Sequence, residues 1–173
     1  MAHDLSGRLE LALLRLHHAL KTASSAHAAC WAITSEAMAY LGLEDCVVYL
    51  LSADGSHLVQ HAAFGPKQSA PGVLESFISL RLGEGIVGSA ALLRTTQRVD
   101  DVRLDPRYVL DDAPRLSEIA VPIVLAEQLI GVIDSEHSQL GFFDERHIQV
   151  LEAIAESAAP RLLWFREQLG AQH

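Results

Sequence analysis

The stretch SEIAVPIVLAEQLIGVIDSEH, Ser117–His137, decides the fold. It reads as a β-hairpin with strands over Ile119–Leu125 and Leu129–Ser135, and Asp134 and Glu136, two apart, share one face of its return strand. Upstream, GEGIVGSA at Gly83–Ala90 reads as an extended entry, a glycine turn and the start of a helix. Together the two segments set a glycine-opened helix over a short sheet lined with carboxylates, which is the layout of a small-molecule pocket.

The flanking sequence supplies the other layers. Cys46–Leu51 and His57–Phe64 are apolar runs separated by a turn containing Asp54-Gly55, a strong hairpin signal. Val73–Leu82 is expected to hold a short helix and a strand ending in Leu80-Arg81-Leu82. Ile86–Arg94 is expected to be helical. Gln97–Val99 is a short strand delivering Asp100 and Asp101 to an irregular loop, Asp101–Arg115. Leu5, Leu9, Ala12, Leu16 and Leu20 make residues 4–22 an amphipathic helix. Ser25 caps a second, largely apolar helix over Ala26–Leu41, closed by Gly42. Asp144 caps a final helix from Glu145 to about Leu169, in which Ile148, Leu151, Ala155, Ala158, Leu162, Phe165 and Leu169 form a heptad seam and Pro160 bends the helix or costs a backbone bond. The fold expected is α/β: a central antiparallel sheet of about six strands, helices on both sides, and amphipathic helices at both ends.

Composition narrows the function. Half of the 173 residues are hydrophobic and the formal net charge is −9, so the chain is a folded, acidic protein. An acidic chain without basic runs lacks the footprint for nucleic acid or an anionic membrane. No window approaches the ~18 uninterrupted apolar residues of a transmembrane helix. The N-terminus has no signal-peptide pattern. A cytoplasmic protein with Cys30 and Cys46 reduced is expected.

GEGIVG, VDDVRLDPRY and SEIAVPI…GVIDSEH together resemble the glycine turn, acidic loop and final hairpin of GAF sensory domains, a PAS-related fold. The resemblance is tightest over Leu82–His137 and extends more loosely over residues 25–165. One branch, the free methionine-R-sulfoxide reductases, is similar in its order of motifs. Glu118, Asp134 and Glu136 match the carboxylates that such enzymes place around the substrate's amino group. The Gly-x-Gly-x-Cys-Gly of that branch reads Gly83-Glu84-Gly85-Ile86-Val87-Gly88 here, and no cysteine lies in the acidic loop. Sulfoxide reduction needs an attacking and a resolving thiol, so the resemblance implies the pocket without the chemistry. The cyclic-nucleotide signature is present only as Phe143-Asp144-Glu145, and neither cysteine is placed for a bilin. A haem would need an axial histidine, for which His137 is the candidate. No cofactor and no metal are expected.

The ligand-binding set expected is Gly85, Ile86, Val87, Asp101, Tyr108, Ser117, Glu118, Asp134 and Glu136. Backbone N–H groups of Ile86 and Val87 at a helix N-terminus suit a carboxylate. The acidic side chains suit a cation such as an amine, with Ser117 donating beside Glu118. Blander readings stay open: a tight turn without ligand, a solvated Asp–Arg loop, and strand-end carboxylates that face solvent or pair with Arg103, Arg107 or Arg115. Residues 1–24 are expected to dimerise, with residues 25–173 forming one domain, because two leftover amphipathic helices would expose a large apolar stripe on a monomer. The function expected is non-catalytic sensing of a small polar or amine-bearing metabolite by a homodimer, a bacterial-type regulator that signals through a further protein. A ligand-free scaffold module and a reductase-like enzyme are the alternatives.

Overall fold

The computed structural model describes residues 2–65, 68–70, 73–74, 78–109 and 114–170. The chain opens with helices α1 (Ala2–Thr22) and α2 (Ala26–Leu41). Ser25 accepts the Ala28 N–H at 3.1 Å to start α2. Gly42, at φ +66°, ends it by donating to the Met38 carbonyl. Strands β1 (Cys46–Leu51) and β2 (His57–Phe64) form a hairpin. Asp54 organises its turn, accepting from the Ser52 and Ser56 hydroxyls and the Ser56 N–H.

A small two-stranded sheet follows, β3 (Gln68–Ala70) against β4 (Val73–Leu74), and then β5 (Ser79–Arg81). The short helix expected within Val73–Leu82 therefore does not begin at Val73, which pairs as a strand; residues 75–77 lie outside the described residues. Helix α3 (Gly85–Leu93), strand β6 (Gln97–Val99), a 3₁₀ turn at Val102–Leu104, the hairpin β7 (Ser117–Leu125) and β8 (Gln128–His137), and helix α4 (Glu145–Gly170) complete the order.

Six strands make one antiparallel sheet in the order β5-β2-β1-β8-β7-β6. Alternation along each strand splits the core in two. Val48, Ile119, Val121 and Ile133 face α1, α2 and α4. Val47, Tyr49, Ala120 and Val132 face α3. The two longest strands, β8 and β7, thus carry residues to both layers, and whatever stands at the α3 face near their ends is roofed by one short helix.

The helical layer revises one expectation. The seam residues Leu151, Ala155, Ala158, Leu162 and Phe165 of α4 are buried within the chain, and α1 covers the layer with Ala12, Leu16 and Leu20. Along these residues the apolar stripe expected on a monomer is filled internally, while the side chains of Leu5 and Leu169 lie outside the described ones; Leu11, Leu14 and Trp164 remain exposed. Helix α4 runs through Pro160 as one element. Arg161 follows it, its guanidinium over the Trp164 and Phe165 rings and donating to the Leu20 and Ala23 carbonyls at the end of α1. No helix among the described residues is long and apolar enough to cross a membrane.

Candidate functional site

Between α3 and the sheet lies a cavity of about 230 Å³ lined by Tyr49, Ile78, Leu80, Gly85, Ile86, Val87, Val109, Glu118, Asp134 and Glu136. The helix reaches the sheet through its glycines. Gly85 sits at φ +70°, and a Cβ on Gly88 would stand 2.5 Å from the Arg81 carbonyl oxygen. Glu84, at the N-cap, turns its carboxylate back to the Arg81 N–H at 2.8 Å and makes no side-chain bond to the helix. The first turn, Gly85–Val87, lines the cavity, and no side chain caps its N–H groups.

Three carboxylates form the opposite wall. Glu118 and Glu136 are direct cross-strand partners, and Asp134 stands two residues before Glu136 on the same face, between Val47 and Ala120. Each is no more than 5% exposed. Side chains directly opposite on antiparallel strands hold their Cβ atoms about 5 Å apart, and like charges there repel. Three acids withdrawn from water in one wall suit a cationic guest or partner.

Nearby groups temper that charge. The Tyr108 hydroxyl donates to the Glu136 carboxylate and accepts the Arg115 N–H at 3.4 Å. Burial, then the Glu136 charge, pushes the Tyr108 phenol well above the usual tyrosine range. Arg107 lies within electrostatic reach of Glu118 while held by Asp105 at 2.7 Å and by Gln97 at 3.1 Å.

Of the nine residues expected at the site, the structure brings six into the cavity lining: Gly85, Ile86, Val87, Glu118, Asp134 and Glu136. Tyr108 stands against Glu136. Ser117 and Asp101 lie elsewhere. Ser117 occupies the opposite strand face from Glu118, and its hydroxyl donates to the Gln139 carbonyl at 2.7 Å. Asp101 caps the 3₁₀ turn and holds Arg103 through both carboxylate oxygens at 2.8 Å; those bonds lower its pKa. His137 also faces the helical layer, stacked on Phe142 at 3.5 Å, so it is not placed to ligate a group in the cavity. Among the described residues no cluster of three or more His, Cys, Asp or Glu side chains is arranged to hold a metal ion.

Sequence reading missed Tyr49, Ile78, Leu80 and Val109. Tyr49 was accessible in principle, because it shares a face with Val47 on β1; the other three depend on how β5 and the loop fold back. Both cysteines, Cys30 and Cys46, are fully buried in the core cluster under the helical layer. Burial pushes both thiols up, and at Cys46 the charges of Asp45 and Asp134 add to it.

The family model for the GAF domain matches residues 23–162. The free methionine-R-sulfoxide reductase of Escherichia coli is 31% identical over 77 residues, 44% of this chain and 47% of that protein. The chain spans about half the length of the curated relatives it matches. Among solved structures, the free methionine-R-sulfoxide reductase of Neisseria meningitidis in complex with its substrate superposes with a TM-score of 0.78 at 22% identity, covering 92% of this chain and 91% of that one. The GAF domain of a phosphoenolpyruvate-protein phosphotransferase from Coxiella burnetii gives 0.79 at 16% identity, covering 94% and 97%. These superpositions show a shared fold.

Proposed function

The chain belongs to the GAF domain family, and on that premise we propose that it is a non-catalytic sensor whose cavity binds a small amine-bearing metabolite, such as a free amino acid. The observation that carries this reading is the wall of three buried carboxylates, Glu118, Asp134 and Glu136, on one cavity. An ammonium group is small enough to sit among them and offsets their mutual repulsion. The uncapped first turn of α3 faces the same space and suits a ligand carboxylate or carbonyl. Signalling then passes to a partner or a second copy through the terminal helices, where Leu11 and Leu14 of residues 1–24 are exposed.

Thermal denaturation across a panel of free amino acids and simple amines tests the reading. A ligand at a hundred times its Kd adds about 2.7 kcal/mol, which for a domain of this size raises Tm by about 5–10 °C. Glu118→Gln and Asp134→Asn are expected to abolish that rise. A panel without a single shift, with both variants melting at or above the parent temperature, overturns it in favour of a ligand-free scaffold.

Kinship with reductases favours a second reading, a sulfoxide-reducing enzyme. That chemistry needs an accessible thiolate, whereas the chain's two thiols are buried with raised pKa values on the far side of the sheet. Incubation with free methionine sulfoxide and a dithiol reductant is therefore expected to yield no methionine. Turnover that is lost on replacing Cys30 or Cys46 would establish the enzyme.

A further inference from the structure

Asp45 is fully buried, yet it lies outside the cavity, one residue ahead of β1. The β1–β8 ladder pairs Val47 with Asp134, so continuing its antiparallel register sets Asp45 opposite Glu136. There the side chain replaces the next backbone rung. Asp45 Oδ1 accepts the Glu136 N–H at 2.7 Å, and the Asp45 carbonyl accepts the Ser135 hydroxyl at 2.8 Å.

A neutral acceptor would satisfy that N–H at less desolvation cost than a buried carboxylate. The charge has a second use. Arg115, its side chain only 10% exposed, brings Nη2 to 3.8 Å from Asp45 Oδ2 and Nη1 to 3.8 Å from Glu44 Oε2. The same residue gives its backbone N–H to the Tyr108 hydroxyl, which in turn donates to the Glu136 carboxylate. A closed circuit results: Asp45 to the Glu136 backbone, Glu136 side chain to Tyr108, Tyr108 to Arg115, and Arg115 back to Asp45. Glu44 is tied into the same end of β8 by Ser138 and His137.

We infer that Asp45, with Arg115, is a positioning residue of the cavity: the buried pair sets the Tyr108–Glu136 contact and thereby the carboxylate that Glu136 presents to a guest. The importance of that carboxylate rests on the amine-binding reading above, but the positioning itself is readable without any ligand.

The probe is tetranitromethane at mildly alkaline pH, with nitration of Tyr40, Tyr49 and Tyr108 resolved by peptide mass spectrometry. Nitration proceeds through the phenolate, so each unit of pKa changes the rate roughly tenfold. Tyr108 is expected to be slow in the parent protein and at least several-fold faster in Asp45→Asn, which keeps an acceptor for the Glu136 N–H but loses the charge. Arg115→Gln is expected to do the same, and Arg115→Lys to recover part of the protection. Leu151→Ala, a core truncation in α4, controls for general loosening and is expected to leave Tyr108 slow. Tyr108 staying slow in both Asp45→Asn and Arg115→Gln overturns the assignment, as does an equal acceleration in Leu151→Ala. Should Asp45→Asn fail to fold, the Arg115 pair alone decides between these outcomes. A panel in which no amine shifts the parent protein, with Tyr108 behaving as expected, would refute the function and leave the positioning intact.

Discussion

Replacing Gly88 by alanine sets two effects of opposite sign against each other. Alanine is favoured over glycine inside a helix by about 1 kcal/mol, so propensity alone predicts a more stable protein. The packing of α3 predicts the reverse. A Cβ at Gly88 would stand 2.5 Å from the Arg81 carbonyl oxygen and 3.1 Å from the backbone N and C of Gly83, none of which is a flexible side chain. An ordinary carbon–oxygen contact of about 3.3 Å requires the two backbones to part by roughly 0.8 Å. That movement pulls on the Gly83 N–H, which donates to the Gly88 carbonyl at 2.8 Å, and on the Glu84 N–H, which donates to the Arg81 carbonyl at 3.0 Å. Overpacking of this kind costs about 1–3 kcal/mol, and a weakened buried hydrogen bond about 1 kcal/mol more. Against the propensity gain, the net is a loss of about 2 kcal/mol, or a Tm lower by about 4–8 °C. Gly7 provides the matched control. It lies exposed in α1 with nothing within 4 Å of its would-be Cβ, so Gly7→Ala is expected to gain up to about 1 kcal/mol and about 2–4 °C. Calorimetry on both variants gives the answer. If Gly88→Ala melts at or above the parent while Gly7→Ala shows its gain, α3 is not seated on Arg81 and the roof of the cavity is not where it is described.

The turn between β7 and β8 places Ala126 and Glu127 at φ +48° and +63°, where side chains are disfavoured. The double substitution Ala126→Asn with Glu127→Gly supplies the residue types that this turn geometry favours. It is expected to raise stability by about 1 kcal/mol and Tm by about 2–4 °C; a lower Tm refutes the turn assignment. Neither cysteine is expected to react with a thiol reagent in the native protein, and both should react once it is unfolded in denaturant; rapid native labelling of either one contradicts their burial. Asp54 is held down to about 2 by hydrogen bonds from Ser52 and Ser56. Because its folded pKa is depressed, its contribution to stability is complete above the ordinary 3.8 and is lost as pH falls from there through about 2. Carboxyl NMR should show that low midpoint, Asp54→Asn should flatten this part of the acid limb, and a midpoint near 3.8 would refute the turn geometry.

Much of the fold was legible because its signals are local. Ser25, Gly42 and Asp144 mark helix ends through bonds spanning a few residues, and Asp54-Gly55 closes a hairpin on itself. Period-two alternation likewise puts Asp134 and Glu136 on one face from the sequence alone. Applied one strand earlier, it separates Ser117 from Glu118, and the grouping of those two at one site overlooked it. Asp101 misled for a different reason: an aspartate in a loop over a sheet is as well suited to an Asp–Arg turn with Arg103 as to a ligand. The heptad seam of α4 was correctly legible as apolar, but spacing cannot say which surface covers it. Here α1, α2 and the sheet of the same chain do.

What stayed hidden is what depends on contacts between distant segments. Asp45 has no motif around it: in the sequence it is one of two adjacent acids between a helix end and an apolar strand. Its role exists only because β1 and β8 lie side by side, which brings it to the N–H of a residue 91 positions away. Arg115 likewise reads as one of several arginines in an irregular loop until the loop returns to that corner and makes it a partner of two acids. The carboxylates that face the cavity were legible because a strand advertises its faces; the groups that orient them were not, because they act from the ends of other strands. If the wall holds a guest as proposed, substitutions at such ends act on it through the wall residues that they position, and a search confined to the cavity lining would pass over them.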